Sequence, residues 1–127
     1  METKFIRIYP VLSSADVARD IAWWQEKAGF QKFFDDLGEG VGEPKYAGLG
    51  RQGIYLHLQW HDGNEDDPID ASAIRIEVEN IRPLFEEFVK RGTVTPEKFR
   101  EKTAWGTNEF GFYDLNNNAI FFFEDAG

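Results

Sequence analysis

The sequence repeats itself at a fixed offset of 64 residues, and this repeat limits the possible folds more than any other feature of the 127-residue chain. A segment that begins at Asp16, DVARDIAWWQEKAG, resembles a segment that begins at Asn80, NIRPLFEEFVKRGT. In both, a residue type that favours helix N-caps precedes apolar residues at helical spacing, and a glycine that can end the helix follows, Gly29 or Gly92. The repeat therefore predicts two equivalent amphipathic helices.

A second pair of segments obeys the same offset. YAGLGRQGIYLHL, residues 46–58, aligns with FGFYDLNNNAIFF, residues 110–122. Each has the form of a strand, a tight polar turn and a second strand. Because one offset relates both helices and strands, the whole architecture is expected to be duplicated.

We therefore expect a single α+β domain over residues 1–127, made of two βαβββ modules with eight strands and two long helices in all. Module 1 covers residues 1–62 and module 2 covers residues 72–127, and the acidic loop 62–70 joins them. Each module alone is too small to bury its helix and sheet well, so the two modules should associate.

The balance of charge narrows the choice of partner. The chain has 23 acidic and 14 basic residues, which gives a formal net charge of -9 at pH 7. Nucleic acids and anionic membranes require a cationic face, so neither is expected as a partner. The acidic surface can attract a cationic ligand, or it can simply keep a small protein soluble. Without cysteines or a long apolar stretch, the chain is expected to be cytoplasmic.

Alternation along the strands separates an apolar side from a mixed side. In the strand GIYLHLQWH, the side that suits packing under a helix holds Ile54, Leu56, Leu58 and Trp60. The mixed side holds Tyr55, His57, Gln59 and His61. In SAIRIEVEN, the mixed side holds Ala73, Arg75 and Glu77. Ligands bind to concave surfaces that carry a few polar groups, so we expect the mixed sides to line a concave surface between the modules.

These paired modules resemble the vicinal-oxygen-chelate superfamily, which includes glyoxalase I, extradiol dioxygenases, and fosfomycin- and bleomycin-resistance proteins. The segments YPVLSSADVARDIAWWQEKAGF, YAGLGRQGIYLHL and AWGTNEFGFYDLNNNAIFFFE carry the resemblance, which spans nearly the whole chain. The Pro-Val-Leu strand, the Asp-Val helix start and the Trp-Gly loop are most similar to the bleomycin-resistance branch. The closing turn departs from that branch, because Leu115 and Asn117 stand where proline and glycine are usual; asparagine tolerates the positive φ that this turn requires.

The resemblance also allows a test for metal binding. Enzymes of the superfamily hold a divalent ion with one side chain from each of four strands, and the motif alignment carries those positions to Tyr9, His57, Ala73 and Phe121. Only His57 is a good ligand, so we expect neither a metal nor another cofactor. Phe121 then forms the wall of an apolar cavity; the alternative is that it belongs to an ordinary core.

The resemblance implies a homodimer with two grooves at the subunit interface and exchange of the N-terminal strand around Pro10. We predict non-catalytic binding of a bulky, cationic and partly aromatic small molecule, as in bleomycin-type resistance by sequestration. The residues predicted to line the groove, aromatic for stacking or polar for orientation, are Tyr46, Tyr55, His57, Gln59, Trp105, Phe110 and Phe121.

Two alternatives stay open at this point. The chain can be a metal-independent or degenerate lyase or isomerase that uses His57 as a general base. We favour a protein that is not an enzyme, and this alternative stays open. The chain can also be a binding or regulatory module whose ligand is unrelated to any antibiotic.

Overall fold

The computed structural model describes residues 1–127 and shows an α+β fold. In chain order its main elements are β1 (Val11–Ser14), α1 (Val17–Ala28), β2 (Gln31–Asp35), β3 (Tyr46–Arg51), β4 (Ile54–Trp60), β5 (Ala73–Glu77), α2 (Ile81–Lys90), β6 (Thr107–Tyr113) and β7 (Ala119–Asp125). The first sheet has the strand order β1-β4-β3-β2, and the second sheet has the order β5-β7-β6. The predicted fold class is confirmed. Neither helix has the length and apolar character needed to cross a membrane.

The prediction of eight strands is wrong, because seven form. The expected strand after α2 is replaced by a 3-10 turn at Pro96–Lys98 and a single antiparallel bridge between Arg100 and Glu109. Pro96 has no N–H to donate to a strand neighbour. Lys102 has a φ of 47°, which turns the chain away from β6 after one bridge.

The repeat is visible in the pairing of the strands. In the first sheet Val11 pairs in parallel with His57, and in the second sheet Arg75 pairs in parallel with Phe121, so the parallel register repeats at the offset seen in the sequence. The antiparallel register differs by one residue: His57 faces Gly48, whereas Phe121 faces Gly111. Hairpin register depends on loop length, and the β3–β4 turn is two residues long while the β6–β7 turn is five.

The helices begin at the predicted residues but are capped differently. Asp16 caps α1 through its side chain, and Gly29 ends α1 in the left-handed conformation with a φ of 69°. Asn80 precedes α2 but makes no capping hydrogen bond. The carboxylate of Glu124 accepts from the N–H of Ile81 at 2.9 Å instead, so a side chain from β7 stabilises the start of α2.

One hydrophobic core joins the helix-facing sides of both sheets. Leu56 and Leu58 of β4 are fully buried there, which confirms the alternation expected for that strand. Trp24 of α1 and Phe88 of α2 are equivalent in the repeat and are both fully buried. Aromatic side chains dominate the half of the core under α2, where the ring of Phe122 contacts the ring of Phe88 at a centroid distance of 5.4 Å.

The polar β6–β7 turn forms the first of two joints between the halves of the chain. Within this turn joint (Ser13, Ala15, Asp20 and residues 114–118), Asn116 accepts from the backbone N–H of Ala15 at 2.9 Å and donates to the buried carboxylate of Asp20 at 2.6 Å. Asn118 donates to the carbonyl of Ser13 at 3.1 Å. The run of three asparagines therefore links the two sheets.

The second joint lies at the carboxyl ends of the two helices. Within this helix joint (Lys27, Arg51, Glu87 and Arg91), Glu87 of α2 accepts from Arg51 at 2.7 Å and from Arg91 at 2.8 Å. Lys27 of α1 donates to the carbonyl of Arg91 at 3.2 Å. The hydrogen bond from Arg51, helped by that from Arg91, lowers the pKa of Glu87 to about 2 despite partial burial.

Candidate functional site

Aromatic rings cover the side of the first sheet that faces away from α1. This first-sheet wall consists of Tyr9, Phe33, Phe34, Tyr46, Tyr55, His57 and Gln59. At its centre the hydroxyl of Tyr46 lies 2.7 Å from Nδ1 of His57. The rings of Tyr9 and Phe34 flank the imidazole at centroid distances of 5.1 and 5.3 Å. The strand alternation predicted Tyr55, His57 and Gln59 on this side, and the structure places them there.

The sequence did not predict Phe33 and Phe34 on this wall, because neighbouring residues of a regular strand point to opposite sides. The register between β2 and β3 shifts at Lys32–Phe34, and this β-bulge turns both rings to the same side. The rings occupy the space above Gly48 and Gly50, where an added Cβ would lie 2.1 Å from the ring of Phe34 and 2.6 Å from the ring of Phe33. The two glycines therefore make room for the aromatic wall.

A different wall forms on the side of the second sheet that faces away from α2. This second-sheet wall consists of Arg75, Trp105, Thr107, Glu109, Phe121 and Phe123. Phe121 is half-buried and lies outside the core cluster, with its ring above Gly111. Phe122, the next residue, is 4% exposed and points into the core. Phe121 therefore lies outside the core, on the outward side of the second sheet, and its place in the wall of a groove stays a prediction.

A buried carboxylate is the centre of the second-sheet wall. Glu109 is 2% exposed and accepts hydrogen bonds from the indole N–H of Trp105 at 2.6 Å, from the hydroxyl of Thr107 at 2.6 Å and from Arg75 at 3.1 Å. Burial alone would raise the pKa of Glu109, but the hydrogen bonds outweigh it and lower the pKa to about 2. The group is therefore an ionised acceptor at neutral pH.

The prediction that Phe110 lines the groove is wrong. Phe110 is 1% exposed and packs against Phe85 and Phe88 of α2. Alternation along β6 places its two neighbours, Glu109 and Gly111, on the wall and Phe110 in the core. The sequence TNEFGFY contains this signal, because Phe110 and Phe112 share one side of the strand and the acid Glu109 falls on the other.

The predicted site residues do not share a cavity within one chain. Tyr46, Tyr55, His57 and Gln59 lie on the first-sheet wall, whereas Trp105, 57% exposed, and Phe121 lie on the second. Between the sheets is a cleft of about 540 Å³, which is lined by apolar residues such as Phe30, Ile54, Ile76, Leu84 and Phe122 and by none of the predicted site residues. The mixed sides of the two sheets therefore do not face each other within one chain, and the concave surface expected between them does not form there.

The residues at the superfamily's metal positions do not fit a metal ion. Ala73 and Phe121 carry no donor, and the imidazole of His57 is already hydrogen bonded to Tyr46. No group of three or more His, Cys, Asp or Glu side chains is close enough together to hold an ion. No chemical step is derived through a metal for this chain.

Comparisons with known proteins agree with this fold. No protein-family model matches the chain. Bleomycin resistance proteins of Geobacillus stearothermophilus and Staphylococcus aureus are 25% identical over 130 residues, which cover 91% of this chain and 93% of theirs. The bleomycin-binding protein of the bleomycin producer Streptomyces verticillus, solved with copper(II)-bleomycin, has a TM-score of 0.72 and 27% identity over 99% of both chains. TioX from Micromonospora sp. ML1 has a TM-score of 0.75 at 15% identity over 94% of this chain and 99% of that one.

The duplicated fold is the one found in the solved structures of the glyoxalase/bleomycin-resistance/dioxygenase superfamily. Among proteins with this fold, those similar to this chain in sequence are bleomycin resistance proteins and a bleomycin-binding protein.

Proposed function

We propose that this protein binds and sequesters a bulky aromatic small molecule of the bleomycin type without changing it chemically. The observation that carries the proposal is that the rings of Tyr9, Phe34 and Tyr46 surround His57, and that Phe121 itself is an aromatic ring, at two places where a metalloenzyme of this fold would present ligands. Such exposed ring surfaces are suited to stacking on a planar ligand. Relatives on both the sequence and the structure side are bleomycin resistance or bleomycin-binding proteins.

We further propose a two-fold homodimer in which the first-sheet wall of one chain faces the second-sheet wall of the other. A two-fold interface repeats every contact, so this arrangement produces two equal grooves. The outward orientation of both walls supports it, because neither wall has a partner surface within its own chain. All seven predicted site residues except Phe110 then lie in a groove.

The N-terminal residues support the exchange of a strand around Pro10. Residues 1–9 belong to no helix or strand, and Phe5 and Ile8 are 94% and 89% exposed. Regular pairing begins only after this segment, where the carbonyl of Pro10 accepts from the N–H of His57 at 2.8 Å. An apolar segment of this kind is buried when it lies along a second copy of the chain.

The charge and the location complete the proposal. The net charge of -9 favours the approach of a cationic ligand, which agrees with the predicted class of molecule. Sequestration protects a target inside the cell, so we propose that the protein acts in the cytoplasm.

The test is calorimetric titration of the full-length protein with metal-free bleomycin and with copper(II)-bleomycin, followed by mass spectrometry of the recovered ligand. We expect saturable binding of one ligand per chain and recovery of an unaltered ligand. Absence of binding contradicts the proposed ligand class. A chemically altered ligand, formed by wild type and not by His57→Ala, supports the enzymatic alternative instead.

A further inference from the structure

Glu109 holds two ligand-facing side chains with one carboxylate. Its Oε1 atom accepts from both the indole N–H of Trp105 at 2.6 Å and the guanidinium of Arg75 at 3.1 Å. Trp105 is 57% exposed and the Arg75 side chain is 41% exposed, whereas Glu109 is almost fully buried. The buried group therefore fixes the position of two groups that a ligand can reach.

Arg75 retains hydrogen-bond donors for a further partner. A guanidinium has five N–H donors, and the only acceptor that Arg75 contacts is Glu109, at 3.1 and 3.4 Å. Its carbon Cζ lies 5.5 Å from the ring centre of Phe121 and 4.7 Å from that of Phe123. These rings limit the movement of the planar group, so less freedom is lost when the remaining N–H groups bind an acceptor.

The surrounding charges leave this site close to neutral. Arg100 lies over the ring of Trp105 at 5.0 Å, and Glu77 is exposed on the same side of β5 as Arg75. The two cations share this side with three carboxylates, those of Glu77, Glu109 and Asp125, so the site has no excess of positive charge. Discrimination at this wall comes from the direction of the N–H groups rather than from net charge.

We propose that Arg75 determines specificity by binding an acceptor oxygen on an aromatic ring system that stacks near Trp105, and that Glu109 is the positioning residue. This inference rests on the proposed binding function and adds one feature to it. The ligand carries its oxygen acceptor on the aromatic part that contacts the second-sheet wall.

The test uses two probes with the same rings. 1-Anilinonaphthalene-8-sulfonate carries an acceptor group, and N-phenyl-1-naphthylamine lacks it; binding of each to the full-length protein is followed by probe fluorescence. A charge-assisted hydrogen bond has a large effect on affinity. We expect Arg75→Met to weaken binding of the sulfonate probe about tenfold and to change binding of the neutral probe less than about twofold.

Two further variants distinguish the positioning of Arg75 by Glu109 from general effects on the structure or the charge of the protein. Glu109→Gln keeps an oxygen for the indole N–H but removes the negative charge that holds Arg75, so it should also lower the ratio of the two affinities. Arg82→Met is the control for loss of one positive charge, because Arg82 is a half-exposed residue of α2 paired with Glu101, away from the wall. It should leave both probes unaffected.

The possible outcomes are distinct. Equal weakening of both probes by Arg75→Met, or no weakening of either, overturns the role of Arg75 while leaving the binding function standing. Equal weakening of both by Glu109→Gln means that Glu109 only stabilises the fold. Failure of wild type to bind either probe contradicts both this inference and an aromatic binding groove.

Discussion

The first-sheet wall and the second-sheet wall share the register of their parallel strand pair but carry different side chains. Val11 and Arg75 occupy equivalent positions, as do His57 and Phe121, and a glycine faces each member of the second pair. The first wall consists of rings around a hydrogen-bonded histidine, whereas the second is organised around a buried ion pair. The duplication therefore preserves the backbone frame, and substitutions at equivalent positions give each wall its own chemistry.

The two hairpin turns differ in the same way. The β3–β4 turn contains only Gln52 and Gly53 and lies at the surface. The β6–β7 turn is longer and buried in part, and its asparagines bind the other half of the chain. Asn117 adopts a φ of 65°, so an asparagine meets the backbone requirement for which related sequences use glycine. A turn that looks like a simple connection in the sequence is thus a structural joint.

The largest expected effect is a difference in stability between core and wall substitutions at equivalent positions of the two sheets. Phe122→Ala and Leu58→Ala remove buried core side chains and should lower the free energy of unfolding by about 3–5 and 2–5 kcal/mol. Phe121→Ala and His57→Ala, one residue earlier, should cost less than about 2 kcal/mol and instead weaken ligand binding. Urea unfolding midpoints measure the difference. Equal, large destabilisation by Phe121→Ala and Phe122→Ala would mean that Phe121 is core.

The next largest effect is expected when the glycines behind the two walls are replaced by alanine. A Cβ at Gly111 would lie 2.6 Å from the ring of Phe121 and 3.1 Å from the backbone oxygen of Ile120, so Gly111→Ala should destabilise the protein by about 1–3 kcal/mol. The three atoms nearest to a Cβ at Gly48 all belong to the ring of Phe34, which is 45% exposed and can swing outwards. Thermal unfolding should therefore show a smaller loss for Gly48→Ala, and a reversed order would contradict the difference in rigidity between the walls.

The helix joint should be sensitive to acid. The pKa of Glu87 is lowered in the folded protein to about 2 from an ordinary value of 4.5, so its stabilising contribution is complete above pH 4.5 and is lost as the pH falls towards 2. Because the carboxylate is partly exposed, we expect Glu87→Gln to cost about 1–2 kcal/mol at pH 7. Urea unfolding of both proteins at several pH values should show this difference shrinking below pH 4.5, and a constant difference would exclude the ion pair as its source.

The smallest effect concerns the approach of the ligand. If the acidic surface attracts a cationic ligand, the association rate of bleomycin should fall a few-fold between low and physiological ionic strength, while the dissociation rate changes little. Stopped-flow tryptophan fluorescence measures both rates. A constant association rate would remove net charge from the explanation of binding.

The sequence was sufficient to predict the fold class, the ends of α1 and the sides of β4 and β5 that face a helix. These features depend on local patterns, such as the spacing of apolar residues around Trp24 and the alternation along β4. The missing eighth strand, the bulge that brings Phe33 and Phe34 to one side, and the cap that Glu124 provides for α2 depend on contacts between distant segments. Glu109 could have been predicted as a site residue from the sequence, because the alternation that buries Phe110 also places Glu109 on the wall.

The central claim is that each groove combines walls from two different chains, and mixed dimers test it directly. Tyr55→Ala damages the first-sheet wall and Phe121→Ala damages the second, so each variant alone should bind bleomycin weakly. A dimer with one chain of each type has one groove with both walls intact and one groove with both damaged. After the variants are mixed, unfolded and refolded together, calorimetry should recover wild-type affinity at one site per mixed dimer. A mixture that binds no better than the separate variants would contradict a groove shared between chains.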